Sequence, residues 1–126
     1  MRERLISLAI QQAKQSNMGC RVGAVLVRQK HVFGAGFNRP FHPYLHRGKV
    51  KKLHPNMGFH AEVAASYSLE FDVMKDTTLY VVRLRKDNSV GMAKPCVSCH
   101  AFLKACGIKR VVYSQDDGSF KQMRVR

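Results

Sequence analysis

Acidic side chains are scarce in this chain: 8 Asp and Glu stand against 22 Lys and Arg in 126 residues, leaving a formal net charge of +14 and a sequence pI near 10.2. An imbalance of that size implies an anionic partner; the plainer alternative is a basic surface that only aids solubility. Long apolar runs are missing as well. No stretch approaches the roughly 20 residues that span a bilayer, and the first residues carry no apolar signal core or cleavage site. A cytoplasmic protein is expected, although MRERLISLAIQQAK resembles a weak amphipathic transit helix. Cysteine is limited to Cys20, Cys96, Cys99 and Cys106, which is no dense disulfide framework and favours reduced thiols or metal ligands. Cys20 and Cys106 read as buried thiols that pack as small hydrophobes. Repeats and low-complexity tracts are absent. What is present, 45% hydrophobic and 24% charged residues, describes one globular domain over residues 1–126.

Leu5, Ile6, Ala9, Ile10 and Ala13 recur at three and four, which is helix spacing, and SNMG breaks the pattern. VGAVLV and HVFGAGF read as two strands of a hairpin joined across Arg28 to Lys30. Residues 39–59 hold three prolines, three histidines, five Lys or Arg and no acid, the composition of a long functional loop. A helix is expected from His60 to about Phe71, with the small residues Ala61, Ala64, Ala65 and Ser68 on one face. TTLYVVRLR is strand-like, KDNS offers turn chemistry, and VGMA returns as a partner strand. Pro95 suits the first turn of a helix running from Cys96 to Cys106 and stopping at Gly107. KRVVYS and SFKQMRVR, separated by the DDG turn, can only pair antiparallel, whereas strands joined by helices are expected to run parallel. The result is an α/β fold, a mixed sheet of about five strands with helices on both faces.

Two pairs of chemically active residues stand where helices are expected to begin. In KPCVSC, Cys96 and Cys99 are three apart and share one helical face. A helix N-terminus favours thiolate there. A lone CxxC also occurs in redox sites and zinc ribbons, but a ribbon needs a second CxxC and this chain has none. His60 and Glu62, two apart, diverge by about 200° on a regular helix, so they converge only if His60 sits in the entry and Glu62 in the first turn. Either alone is commonly a cap, a core side chain or an answer to the helix dipole. Taken with the downstream PCxxC they make a different pattern. One histidine and two cysteines are the three ligands of a catalytic zinc that keeps its fourth position open, and Glu62 beside it has the place of a general acid/base.

HxE followed by PCxxC is the signature of zinc deaminases of nucleobases. VGAVLV through GFNRP, HAEV, TLYVV and PCVSCHAFLKACGIKRVVYS resemble the cytidine deaminase superfamily, which includes cytidine, deoxycytidylate, polynucleotide cytosine and tRNA adenosine deaminases. The resemblance implies a three-layer sandwich, Zn2+ held by His60, Cys96 and Cys99, and Glu62 as the proton shuttle. It places Asn38, the backbone of Ala61 and the carbonyl of Lys94 against the substrate; Asn38 has the alternative of a strand-end turn residue. Three features depart from typical relatives. The stretch between Tyr80 and Pro95 is longer, which implies an extended hairpin at or near the site. The 39–59 loop is long and basic. An antiparallel last strand leans toward cytidine deaminases, while the histidine ligand and GFNRP lean toward the deoxycytidylate and tRNA enzymes.

A single nucleotide needs few cations, so the charge suggests a longer substrate, single-stranded DNA or RNA. Arg39, Arg47, Lys49, Lys51 and Lys52 are candidates to track phosphates, and Phe41, Tyr44 or Phe59 to stack on bases; the same aromatics would equally serve to pack the loop on the core. Cytosine deamination in a single strand or in a nucleotide such as dCMP is the leading expectation. Adenosine deamination in RNA and a nucleic-acid-binding module with structural zinc are the alternatives. By resemblance, a homo-oligomer is a further possibility, as is a basic monomer.

Overall fold

The computed structural model describes residues 2–17, 19–29, 31–38, 61, 65 and 74–125. The expected 39–59 loop lies outside the described residues, as do His60, Glu62 and most of the helix expected after them. The amphipathic N-terminal pattern forms α1 (Arg2–Gln15), which buries Leu5, Ala9 and Ala13. Strands β1 (Arg21–Arg28) and β2 (His31–Phe37) form the expected antiparallel hairpin, with a register shift between Leu26 and Val27. β3 (Thr78–Leu84) and the two-residue β4 (Val90–Gly91) make a second hairpin, followed by α2 (Val97–Ala105), β5 (Arg110–Ser114) and β6 (Phe120–Arg124).

The sheet has the order β2-β1-β3-β5-β6, with β4 paired to β3. Among the described residues the sheet has six strands, in keeping with the expected five or so once the short VG return is counted as a strand of its own. β3 and β5, linked through α2, run parallel, and β5 and β6 pair antiparallel, both as expected. β2 and β3, on either side of the first long connection, also point the same way, with β1 between them and antiparallel to both.

Alternation along the strands divides the core into two layers. Val25, Val27, Val82 and Leu84 face Leu5, Ala9 and Ala13 of α1. Ala24, Leu26, Leu79, Val81, Val111 and Tyr113 face the other way, against Phe102 and Leu103 of α2 and the helical residues Ala61 and Ala65. Helices therefore cover both faces, and the three-layer sandwich stands. The closest approach is at Gly23, where a Cβ would lie 2.1 Å from the Ala9 carbonyl oxygen and 2.4 Å from the Ala13 nitrogen. Glycine is what lets α1 sit directly on β1.

α2 ends as its sequence implies. Gly107 has φ +81°, the Ile108 N–H bonds the Leu103 carbonyl at 3.1 Å, and the Gly107 N–H bonds that of Lys104 at 3.1 Å. This is a Schellman closure, completed by Ile108 and Leu103 packing in one core cluster. No helix among the described residues is long and apolar enough to cross a membrane.

The β3–β4 and β5–β6 turns are built alike. In each, three loop residues separate a closing backbone pair, and the third, Asn88 or Gly118, has positive φ. The Ser89 hydroxyl first, and then its N–H, hold the Asp87 carboxyl below its ordinary value of 3.8; Ser119 does the same to Asp117. A depressed carboxyl contributes order above its unfolded pKa and loses it as pH falls through the folded value. Amide exchange at Ser89 and Ser119 should therefore accelerate, beyond the intrinsic pH trend, only as pH falls below about 3.8, while amides in β1 stay protected.

Candidate active site

At the end of the sheet where β3 finishes, a cavity of about 270 Å³ is lined by Cys20, Val22, Asn38, Ala61, Ala93, Lys94 and Cys96. Each element delivers its residue for a local reason. Cys96 is the N-cap of α2, with extended backbone (φ −69°, ψ 170°), and its Sγ accepts the Cys99 N–H at 3.4 Å. The sequence argument placed Cys96 inside the helix and Pro95 in the first turn; both sit one step earlier, before the helix begins. Capping, rather than a shared helical face, is what aligns the two residues. Cys96 is exposed at the cavity and Cys99 is fully buried.

The segment leading to Cys96 is fastened from below. Ser114, itself fully buried, donates to the Gly91 carbonyl at 2.6 Å and accepts the Arg83 N–H at 3.2 Å. Its own carbonyl accepts the Ala93 N–H at 2.9 Å. Asp116 receives the Met92 N–H at 2.9 Å and pairs with Arg85 at 2.8 Å. The extended hairpin thus ends at the site, as the length of the Tyr80 to Pro95 stretch implied, and these bonds aim Ala93 and Lys94 into the cavity wall.

Across the cavity, Asn38 closes the open end of the first hairpin. Its Oδ1 accepts the Val22 N–H at 2.8 Å, its Nδ2 donates to the Cys20 carbonyl at 2.5 Å, and its own carbonyl accepts the Ser16 hydroxyl at 2.9 Å. The side chain is therefore a fastener between strand ends as well as part of the lining. Cys20 corrects its sequence reading: it is exposed and lines the cavity, whereas Cys106 is buried as expected. Pairing of Gly23 with Phe37 puts residues 20–22 opposite Asn38, a consequence of hairpin register that the residue type of Cys20 did not signal.

Of the candidate residues, the structure gathers Asn38, Ala61, Lys94 and Cys96 around one cavity, with Cys99 bonded to Cys96. His60, Glu62, Arg39, Phe41 and Tyr44 lie outside the described residues. Among the described residues no group of three His, Cys, Asp or Glu gathers, so two sulfurs are what this part of the chain offers a metal. The donor set suits zinc: two thiols three apart, one of them the N-cap of a helix and exposed at the cavity. Ala61, buried at the cavity, is flanked in sequence by His60 and Glu62.

Comparison with known proteins adds the family. Residues 1–115 match the model of the cytidine and deoxycytidylate deaminase zinc-binding region. The chain is 33% identical over 135 aligned positions to the deoxycytidylate deaminase of Saccharomyces cerevisiae, covering 94% of this chain and 40% of that protein. It thus spans well under half the length of that curated relative. Among solved structures, cytidine deaminase from Burkholderia pseudomallei superposes with a TM-score of 0.71 at 19% identity, covering 99% of this chain and 93% of that one. The dCMP deaminase of the cyanophage S-TIM5 gives 0.61 at 21% identity, covering 90% and 82%. At those identities the two structures speak for the fold. With the matched zinc-binding region reaching from α1 through β5, the chain belongs to the cytidine and deoxycytidylate deaminase family.

Proposed function

We propose that the chain catalyses zinc-dependent hydrolytic deamination of cytosine, in a nucleotide such as dCMP or in single-stranded DNA or RNA. The observation that carries this reading is the convergence of Asn38, Ala61, Lys94 and Cys96 on one cavity. The name of the yeast relative supports a nucleotide substrate. His60, Cys96 and Cys99 would hold the zinc, which supplies a water nucleophile ionised near neutral pH. Glu62 would accept one proton from the water as its oxygen adds to the amine-bearing carbon, and pass that proton to the adjacent ring nitrogen. It would then accept the remaining proton of the added hydroxyl and hand it to the amine, so that the carbon–nitrogen bond breaks with loss of ammonia and the oxygen stays as the carbonyl. The Ala61 backbone and the Lys94 carbonyl hold the edge of the base. The bonds from Ser114 and Asp116 keep the segment leading to Lys94 in place while this happens.

The test is ammonia release from cytidine, CMP, dCMP, single-stranded DNA and tRNA by the zinc-loaded protein. Turnover of a cytosine substrate supports the proposal; turnover of tRNA adenosine alone would replace cytosine by adenine, and silence on the whole panel would overturn it.

The net charge of +14 and the acid-free 39–59 segment favour the single strand as substrate. If Arg39, Arg47, Lys49, Lys51 and Lys52 contact phosphates, log affinity for oligothymidylate should fall against log salt with a slope of about −3.5. Affinity that stays constant between roughly 50 and 200 mM salt would reject the polynucleotide and leave the free nucleotide.

A further inference from the structure

A second cavity, of about 390 Å³, opens at the other end of β3 and on the other face of the sheet. The first cavity takes Val22, which pairs with Arg83 near the end of β3; the second takes Val27, which pairs with Thr78 at its start. Five residues of extended strand separate them, roughly 17 Å. The second cavity has an apolar wall of Leu5, Val27 and Tyr80, all in the α1 layer. Among the described residues its charged lining is Arg28, Lys109 and Arg110 against one carboxylate, Asp76.

Arg110 is the unexplained member. It stands directly opposite Arg124 in the antiparallel β5–β6 ladder and beside Thr78 in the parallel β3–β5 ladder. Like charges directly opposite on neighbouring strands are destabilising. The Arg110 Nε is also shielded from solvent and has no hydrogen-bond partner, and its guanidinium makes no hydrogen bond or ion pair among the described residues. A buried donor left without a partner costs stability as well. Two unfavourable features at one side chain, which itself lines a cavity, are what an absent anion would relieve. The neighbours are already in place. Lys109 is tied by its backbone to Thr77 and Val125, and Arg28 lies over the Phe33 ring at 5.0 Å while bonding the Lys75 carbonyl at 3.3 Å.

We infer that this cavity is a second binding site, for a small molecule bearing a phosphomonoester or diphosphate, with Arg110 as the principal anion ligand and Arg28 and Lys109 beside it. Guanidinium offers a planar fork of donors that matches phosphate oxygens. The wall of Leu5, Val27 and Tyr80 receives the uncharged remainder of the molecule. This site does not depend on the deaminase reading, since among the described residues it shares no lining residue with the first cavity.

Calorimetric titration of the zinc-loaded chain with inorganic pyrophosphate tests it, using Arg110→Gln against Lys94→Gln, which removes the same charge from the other cavity. Arg110→Gln should weaken binding by about 10- to 100-fold, the loss expected for one charge-assisted contact, and Lys94→Gln should leave it unchanged. Equal losses in the two variants would reveal diffuse attraction to a basic surface and overturn the site. So would binding weakened only by Lys94→Gln, which would move the anion to the first cavity. Oligothymidylate binding that needs Arg110, with no response to pyrophosphate, would overturn the small-molecule assignment. Thermal melting guards against a folding artefact: without ligand, Arg110→Gln should melt no lower than the parent, because it removes a like-charge pair. A lowered midpoint with pyrophosphate affinity intact would make Arg110 structural and sink the proposal.

Discussion

Replacing Glu62 by Gln should lower deamination by about 10²- to 10⁴-fold, the usual contribution of a positioned acid/base, while zinc content stays at the parent level. Gln keeps the size and hydrogen-bonding shape of Glu but cannot accept and return a proton. The carboxyl is assigned no ligand role, so metal retention measured by atomic absorption should not follow turnover. The same variant separates an enzyme from a nucleic-acid-binding module with structural zinc. A module would keep both zinc and oligonucleotide affinity and have no turnover to lose. Full ammonia release by Glu62→Gln would remove the proton shuttle from the mechanism. Loss of zinc together with activity would make Glu62 a ligand instead.

Gly23→Ala should destabilise the fold by about 3 kcal/mol, at the upper end for overpacking, which is roughly 10 °C in Tm for a domain of this length. The added methyl would meet the Ala9 carbonyl oxygen at 2.1 Å and the Ala13 nitrogen at 2.4 Å. Both are backbone atoms of α1, so no rotamer change relieves the clash and the helix must lift from β1. Lifting it would disturb Val25, Val27, Val82 and Leu84, which pack beneath. Gly19→Ala is the matched control, because a Cβ there has nothing within 4 Å, and its effect should stay within about 0.5 kcal/mol. Equal melting of the two variants would mean that α1 does not rest on Gly23.

The helix entry at the site was legible because its signal is local. A PCxxC before an apolar stretch marks where a helix begins whatever surrounds it, although Cys96 is the N-cap, one residue outside the helix, where the pattern had put it inside. Gly107 marked the end of α2 for an equally local reason, its positive φ. The participation of Cys20 was not legible, since nothing in its neighbours distinguishes it from a packed thiol. It reaches the cavity only because the β1–β2 register sets residues 20–22 across from Asn38. The double use of Asn38 was hidden in the same way, being written in bonds to backbone groups 16 and 18 positions away. The fastening by Ser114 and Asp116 spans 23 and 24 positions, and a serine at a strand end carries no mark of such a task.

By itself the sequence determined the α1 stripe, the alternating strands, the helix stop at Gly107 and the thiol pair, all consequences of side-chain period and backbone preference within a few residues. Only the tertiary structure decided that β1 lies between β2 and β3, that Gly23 carries α1, and that Arg110 meets Arg124 across the sheet. Strand neighbours are chosen by which faces can be buried together at long range, and a periodic pattern is the same whichever partner satisfies it.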